Sequence, residues 1–522
     1  MAGNWQGKPY KKWIKFEAHY WQGRQMGMGG LARRSTAFIS GPGAPRQGAG
    51  TIVFALDKRN GDLPRLMERC AAKTPIPELT YAESSERARG PFEIGPRPEG
   101  FPEYFEYRLK DVVFSDCPVV EDAPEQAFIV TFKDIEWLNY GRDTTGGENK
   151  SNMVEIKLQP APLKPAVTTG QSKTFVLTWF AAAHDVRDDQ CPTMNAKPLE
   201  SDYYALMSKE DADKERAELA GKGGVNYENG QMGMRGPRKL NVTLLPGIVK
   251  DPGHALPQID LARGINLDGD DGTGAPPPGT CKHKNYVAED GRTGIDNQLY
   301  TAQGCIQGFQ GHKGFVLQFA NNQMRDGQMS ILVTLSGMED ERNDDNVEVT
   351  VAYSLDPMAK SGSGSEVLPD YTFRITDNPE YTYFFSRVRA RIVNGVVTSD
   401  RMKTFRLNLG VFGTPRALEL TDAQMRLVLQ PDGTIKGVVG GYRDWRKISS
   451  TYITSTTEMY HGFQQPAMYN ALKRAADGLK DPMTGECNGI SSAYDMEGIP
   501  AFLPAGQPDG LMTQSETRKA KP

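Results

Sequence analysis

Arg391-Ile392-Val393-Asn394-Gly395-Val396-Val397 decides how the larger part of this chain is built. Asn-Gly accepts the positive φ angles of a type I′ turn, and β-branched residues flank it on both sides. The segment therefore predicts a tight hairpin. A second hairpin follows from Pro431-Asp432-Gly433, set between Met425-Arg426-Leu427-Val428-Leu429 and Ile435-Lys436-Gly437-Val438-Val439. Working outward, Phe175-Val176-Leu177-Thr178-Trp179-Phe180 reads as an apolar strand, and residues 328–336 and 346–354 read as two more. Ser201 to Leu219, rich in Glu, Lys and Ala, predicts a helix, and Pro466 to Asp477 predicts a shorter one ended by Gly478. Residues 173–505 are thus expected to form a large antiparallel β-rich unit with a few helices.

A smaller unit precedes it, over residues 1–145. Thr51-Ile52-Val53-Phe54-Ala55-Leu56 is a strand, and Asn60-Gly61 a turn. Asp62 then stands where a helix cap belongs, with Pro64 in the first turn. Leu63, Leu66, Met67 and Cys70 fall on one helical face. Glu78-Leu79-Thr80-Tyr81 looks like a strand. Phe105, Tyr107 and Leu109 alternate with Glu106, Arg108 and Lys110, which predicts a half-buried strand running on into Val112-Val113-Phe114. Ala127 to Leu138 gives a last one. Between the units, residues 146–172 carry Pro160, Pro162 and Pro165 among Thr and Gly and read as a semi-rigid linker. Residues 506–522 read as a polar, disordered tail. The expected fold class is mainly β: a small β-barrel with one short helix, a Pro-rich linker, and the larger β-rich domain.

Composition agrees. The 522 residues are 38 % hydrophobic and 24 % charged, as in soluble globular chains. The 55 glycines and 35 prolines exceed the usual share and imply many turns. A net charge of −4 supplies no global basic field for nucleic acid. Met1 to Lys8 contains no apolar run of the kind a secretory signal needs, and no stretch is apolar over the roughly 20 residues of a membrane helix. Synthesis in the cytoplasm without a membrane anchor is the expectation, unless a signal peptide precedes this sequence. Six cysteines are too sparse for a disulfide scaffold and contain no CxxC pair. In an oxidising space Cys191, Cys281, Cys305 and Cys487 could form two disulfides, with three pairings open.

The order of elements in the first unit carries a resemblance. Ile52 to Asp57 followed by Asp62-Leu63-Pro64-Arg65-Leu66, then Tyr104-Phe105-Glu106-Tyr107-Arg108-Leu109-Lys110-Asp111-Val112-Val113-Phe114-Ser115, then Gln126 to Tyr140, is similar to three consecutive segments of Hcp, the tube protein of bacterial type VI secretion systems. The likeness covers roughly residues 50–140. It implies a hexameric ring or tube assembled through residues 1–145, contact with spike and sheath proteins, export from the bacterium, and a cargo or effector domain behind the linker, countered by an immunity protein. The phrases Gly294-Ile295-Asp296-Asn297-Gln298-Leu299, Gly440-Gly441-Tyr442-Arg443-Asp444-Trp445 and Gly498-Ile499-Pro500-Ala501-Phe502 resemble uncharacterised β-rich bacterial proteins, which carry no activity over.

Candidate chemistry centres on Asn266, Asp268, Asp270 and Asp271, hard oxygen donors that suit calcium, although Asp271 and Pro277 break the EF-hand pattern. Cys281 and His283 offer a soft half-site without a second pair at metal spacing. His184 beside Asp185, His283 and His461 are the candidates for acid–base work. On a strand, His184 and Asp185 would point to opposite faces and not pair. No nucleophile elbow, phosphate loop, dinucleotide fingerprint or His-Glu-x-x-His occurs, so whether the chain is an enzyme is left open. Three functional expectations follow: a secretion-tube component fused to an effector; a cell-surface or periplasmic β-rich binding protein with a calcium-stabilised loop; and a hydrolase acting on cell-wall or nucleic-acid polymers.

Overall fold

A computed structural model of the chain describes residues 14, 16, 18–22, 50–84, 103–139, 170–192, 199–220, 240, 242, 245–272, 274–326, 330–361, 366–376, 384–408, 417–449 and 465–504. The linker up to residue 169, the loop over 85–102, the 506–522 tail and His461 lie outside the described residues. The protein is mainly β, as its turn and alternation patterns predict.

The first sheet holds β1 (Ala18–Gln22), β2 (Gly50–Asp57), β3 (Ile76–Ser84), β4 (Glu103–Asp116), β5 (Glu125–Phe132) and β6 (Asp134–Asn139), in the order β1-β2-β5-β4-β3 with β6 also on β4. The single strand expected over Ala127 to Leu138 is divided at Lys133. Val113 pairs with Thr131 on one side of that break and Lys110 with Asp134 on the other. Facing it, Asp111 adopts φ 50°. The paired irregularities bend β4, and the sheet curls into a half-barrel.

Helix α1 (Leu63–Ala72) covers the concave side. Pro64 begins it, but the Asp62 side chain makes no capping bond to its backbone. It ends at Lys73 in the left-handed region, whose N–H returns to the Arg69 and Cys70 carbonyls. Leu66 and Cys70 pack there with Ile52, Phe54, Leu56, Phe114 and Phe128.

The opposite face of β2 and β5 is buried as well. Val53, Ala55, Ala127 and Ile129 pack against Tyr203, Tyr204, Leu206, Leu245 and Ile248 of the second unit. Burial on both faces explains why Ile52 to Leu56 is continuously apolar instead of alternating. At the same boundary the Tyr469 hydroxyl donates to the Glu125 carboxylate, both buried.

The second sheet runs β7 (Gln171–Ala182), β8 (Ser330–Met338), β9 (Asn343–Ser354), β10 (Tyr371–Thr372), β11 (Ser386–Val393), β12 (Val396–Ser399), β13 (Met402–Asn408), β14 (Ala417–Leu429), β15 (Ile435–Asp444), β16 (Gly478–Lys480) and β17 (Cys487–Phe502). Eight of them, β7-β8-β9-β11-β12-β14-β15-β17, close into an antiparallel barrel through β17 on β7. Closure removes the free edges an open sheet would expose. Phe175, Val333, Val349, Leu427 and Val439 from these strands fill the interior, with Phe405 of β13 packed against them. Both expected hairpins form: Val393 pairs with Val396, with Asn394 at φ 52° and Gly395 at 79°, and Leu429 pairs with Ile435 around Gly433.

Helices decorate this barrel: α2 (Leu199–Tyr204), α3 (Lys209–Leu219), α4 (Gln298–Gln303), α5 (Phe315–Arg325) and α6 (Gln465–Ala475). The one helix expected over Ser201 to Leu219 is two. Ser208 leaves helical geometry and accepts from the Asp211 N–H at 3.1 Å, starting α3 afresh.

Candidate functional site

Between α3 and α4 the chain makes a long excursion, residues 250–297, with only isolated bridges such as Ile265 to Asp296 and Tyr286 to Ile295. It lies on the outward side of β15 and β17. By strand alternation Val439 and Tyr494 point into the barrel, while Val438, Tyr442 and Ala493 point out and pack with Ile265 and Leu267. Two disulfides tie this region down: Cys191–Cys305, with Cα atoms 5.4 Å apart, and Cys281–Cys487, at 6.2 Å. A third, Cys70–Cys117 at 6.3 Å, joins α1 to the end of β4. All three separations suit the bond, and no cysteine is free. The sequence leaves two disulfides open to Cys191, Cys281, Cys305 and Cys487 and offers none for Cys70 and Cys117; the structure pairs all six. Here disulfides tether long segments to an existing core, a task that needs few of them. Of the three pairings open to Cys191, Cys281, Cys305 and Cys487, the fold makes one.

Under the excursion sits a buried polar cluster. His283 Nδ1 donates to the Cys281 carbonyl at 2.8 Å, which directs Nε2 toward the Asp296 Oδ1 at 2.9 Å and the Asp268 Oδ2 at 3.8 Å. The Asp296 Oδ2 accepts from the Leu267 N–H at 2.6 Å and the Asp268 N–H at 3.3 Å. Asp268 Oδ1 accepts from the Asp270 N–H, but its Oδ2 accepts no hydrogen bond, although the side chain is only 1 % exposed. Asp477, between α6 and β16, binds the Ser491 N–H at 2.7 Å through Oδ1, and its buried Oδ2 has no hydrogen-bond partner. The Tyr442 hydroxyl, from β15, is also buried without one. Asn285 covers the group: with its amide oxygen accepting from the Gly272 N–H at 3.1 Å, its nitrogen donates to Asp296 Oδ1 at 3.2 Å.

Electrostatics follow from this packing. Burial opposes charge on His283, but the Asp296 hydrogen bond, the Cys281 carbonyl and the Asp477 charge outweigh it and lift its pKa to about 10. Burial pushes Asp477 up to about 7 against the pull of its Ser491 bonds. Burial also raises Asp268, opposed by the Asp270 N–H. Tyr442 is driven far upward by burial and by the charges of Asp477, Asp296 and Asp268.

The four expected calcium ligands part company. Asn266 donates to the Asp270 carbonyl and accepts from the Gly269 N–H, Asp270 Oδ1 accepts from the Gly272 N–H, and Asp271 is exposed. Asx turns have consumed these oxygens, and Asp268 alone of the four joins the cluster. The expected oxygen cage is corrected accordingly. Among the described residues, Asp268, His283 and Asp296 are the one set of three His, Cys, Asp or Glu side chains whose donor atoms all lie within 4.8 Å of one another. Of the histidines, His283 has a functional setting. His184 is fully buried against the Tyr300 ring, 5.2 Å between centroids, and burial lowers its pKa to about 3. Such an imidazole is neutral and walled off, unsuited to proton transfer. As expected it does not pair with Asp185, whose carboxylate meets Arg263. Nothing in the spacing singles out Asp296, Asp477 or Asn285 for chemistry. Asp296 stands in the Gly-Ile-Asp-Asn-Gln-Leu phrase, the one local signal that could have drawn attention to it.

A second concavity, about 280 Å3, lies beside β7 and α5. The His312 ring stacks on Trp179 at 3.9 Å and its Nε2 is 3.5 Å from Glu497. Gln318, Asn322 and Arg325, on one face of α5, complete the lining.

No protein-family model matches this chain, and no curated protein matches it either.

Proposed function

We propose that the chain is an extracytoplasmic β-rich binding protein, resident at a cell surface or in a periplasm. The pairing of all six cysteines carries this reading, since reducing cytosol keeps such thiols open. The concavity lined by Trp179, His312, Arg325 and Glu497 provides the binding surface: a ring flanked by charged and amide groups suits a polar ligand with an apolar face. The test is a thiol count on the full chain, unfolded without reductant, after production in an oxidising and in a reducing compartment. Zero free thiols and higher resistance to unfolding are expected from the oxidising compartment. Six free thiols with unchanged stability in both preparations would sink the reading.

The secretion-tube reading is a second proposal with the same destination outside the cytoplasm. It is favoured by the order β2, α1, β3, β4, β5 over residues 50–132, the order its resemblance implies. Against it, the outer face of β2 and β5 is covered by the chain's own second unit. Mass measurement and particle imaging of the full chain decide it: a closed six-membered ring supports the tube, and a monomer at every concentration removes it.

A further inference from the structure

We infer that Asp268, His283 and Asp296 form a closed site for a divalent transition metal of the zinc class, which clamps the 250–297 excursion to the barrel wall. Zinc holds nitrogen and carboxylate donors at about 2.0–2.2 Å, so tetrahedral neighbours sit about 3.3 Å apart. The separations here, 2.9 Å from His283 Nε2 to Asp296 and 3.8 Å to Asp268, bracket that value. The hydrogen bond from Nδ1 to the Cys281 carbonyl is the outer contact a metal-bound histidine commonly makes, and it turns Nε2 inward. Leu267 and Asp268 N–H groups fix the Asp296 carboxylate in the same way.

An independent observation points to a cation. Asp268 Oδ2 and Asp477 Oδ2 are buried carboxylate oxygens without hydrogen bonds, and the Tyr442 hydroxyl is buried beside their charges without one. Buried carboxylate oxygens without donors are costly and call for an ion or ordered water. Two carboxylates, Asp268 and Asp296, face one imidazole, so a divalent cation also offsets the excess negative charge. An imidazole in the donor set selects zinc-class metals over calcium, which takes six to eight oxygens. The donors are shut from solvent, with the His283 side chain 5 % exposed and those of Asp268 and Asp296 no more than 1 %. Burial gives the ion the task of clamping the excursion, with three protein donors and the fourth tetrahedral position left to a ligand outside this set. This inference stands whichever compartment holds the protein.

The test uses the full, tag-free chain with its disulfides intact, stripped with chelator and titrated separately with zinc, cobalt(II) and calcium. One equivalent of zinc should bind and raise the melting temperature. Cobalt should give the intense visible bands of low-coordinate nitrogen–oxygen ligation, and zinc should erase them. Calcium at equal concentration should not compete. Asp268→Asn should weaken zinc binding by at least about 100-fold, since changing only an outer partner of a ligand already costs about 10–100-fold. Asp432→Asn, in the exposed turn at the opposite end of β15 from Tyr442, should leave it unchanged. Should Asp268→Asn not fold, the cobalt spectrum of the unaltered chain decides. The inference is overturned by no stoichiometric binding, by calcium displacing zinc, or by unchanged affinity in Asp268→Asn.

Discussion

The closed barrel and the excursion laid on its wall hold their shapes by different physics. The barrel is regular: every one of its eight strands has two neighbours, and its interior is aliphatic and aromatic. The excursion over 250–297 has almost no ladder of its own. Its small apolar clusters are supplemented by the Cys281–Cys487 bond and by buried carboxylates paired with His283. Burial of apolar area is non-directional and forgiving, whereas a polar cluster works only when each partner is placed. The largest effect that sharpens this contrast is a cavity in the barrel. Phe405→Ala, at a side chain with no exposure, should destabilise the whole protein by about 3–5 kcal/mol. Chemical denaturation read by far-UV dichroism measures it, and a loss below about 1 kcal/mol would contradict the barrel packing.

Replacing Cys281 and Cys487 together by Ser should act on the other region. The lost cross-link costs about 2–5 kcal/mol. Because the barrel ladder is continuous without it, protection from hydrogen exchange should fall first over 250–297 and persist in β14 and β15. Uniform loss across both regions would break the distinction between them.

Legibility in the sequence divides along the same line. Asn394-Gly395 and Pro431-Asp432-Gly433 act locally, so both hairpins could be read from a few residues. The doubly buried run Ile52 to Leu56 identified its strand, though not what covers its second face. The break between α2 and α3 was also written locally, in Ser208 followed three residues later by Asp211, but the helix-forming residues around it masked the signal. The candidate site was half legible. Asp268 and His283 stood out as donor types, yet Asp296 and Asp477 reach them only because the excursion folds onto β15 and β17. Contacts between residues two hundred positions apart leave no periodicity, and abundant Asp in an Asp-Gly loop pointed to calcium where the backbone takes most of those oxygens.

Acid provides a third comparison, at the junction of the two regions where β7 gives way to His184. Its pKa is about 6.5 when unfolded and about 3 in the fold, because burial disfavours the charged ring. The unfolded chain therefore binds the extra proton between those values. The His184 contribution is complete above pH 6.5 and is lost as pH falls toward 3. By pH 5 the loss should reach about 2 kcal/mol. His184→Phe, which keeps the ring stacked on Tyr300, should flatten that part of the stability profile. An unchanged acid slope in the variant would show that other groups control it.

The smallest effect returns to the turn with which the architecture began. Gly395 has φ 79°, a region where a Cβ costs about 1–2 kcal/mol, and no atom lies within 4 Å of where that Cβ would stand. Gly395→Ala therefore tests backbone conformation free of steric clash. A destabilisation of about 1 kcal/mol is expected, with the β11–β12 register kept because Val397 and Ile392 remain buried on the inner face. Neutral stability would mean that the turn had relaxed to another type. That the barrel should tolerate this change, while the excursion should not tolerate loss of one carboxylate partner, follows from how each is held: many interchangeable contacts in the first, a few directed ones in the second.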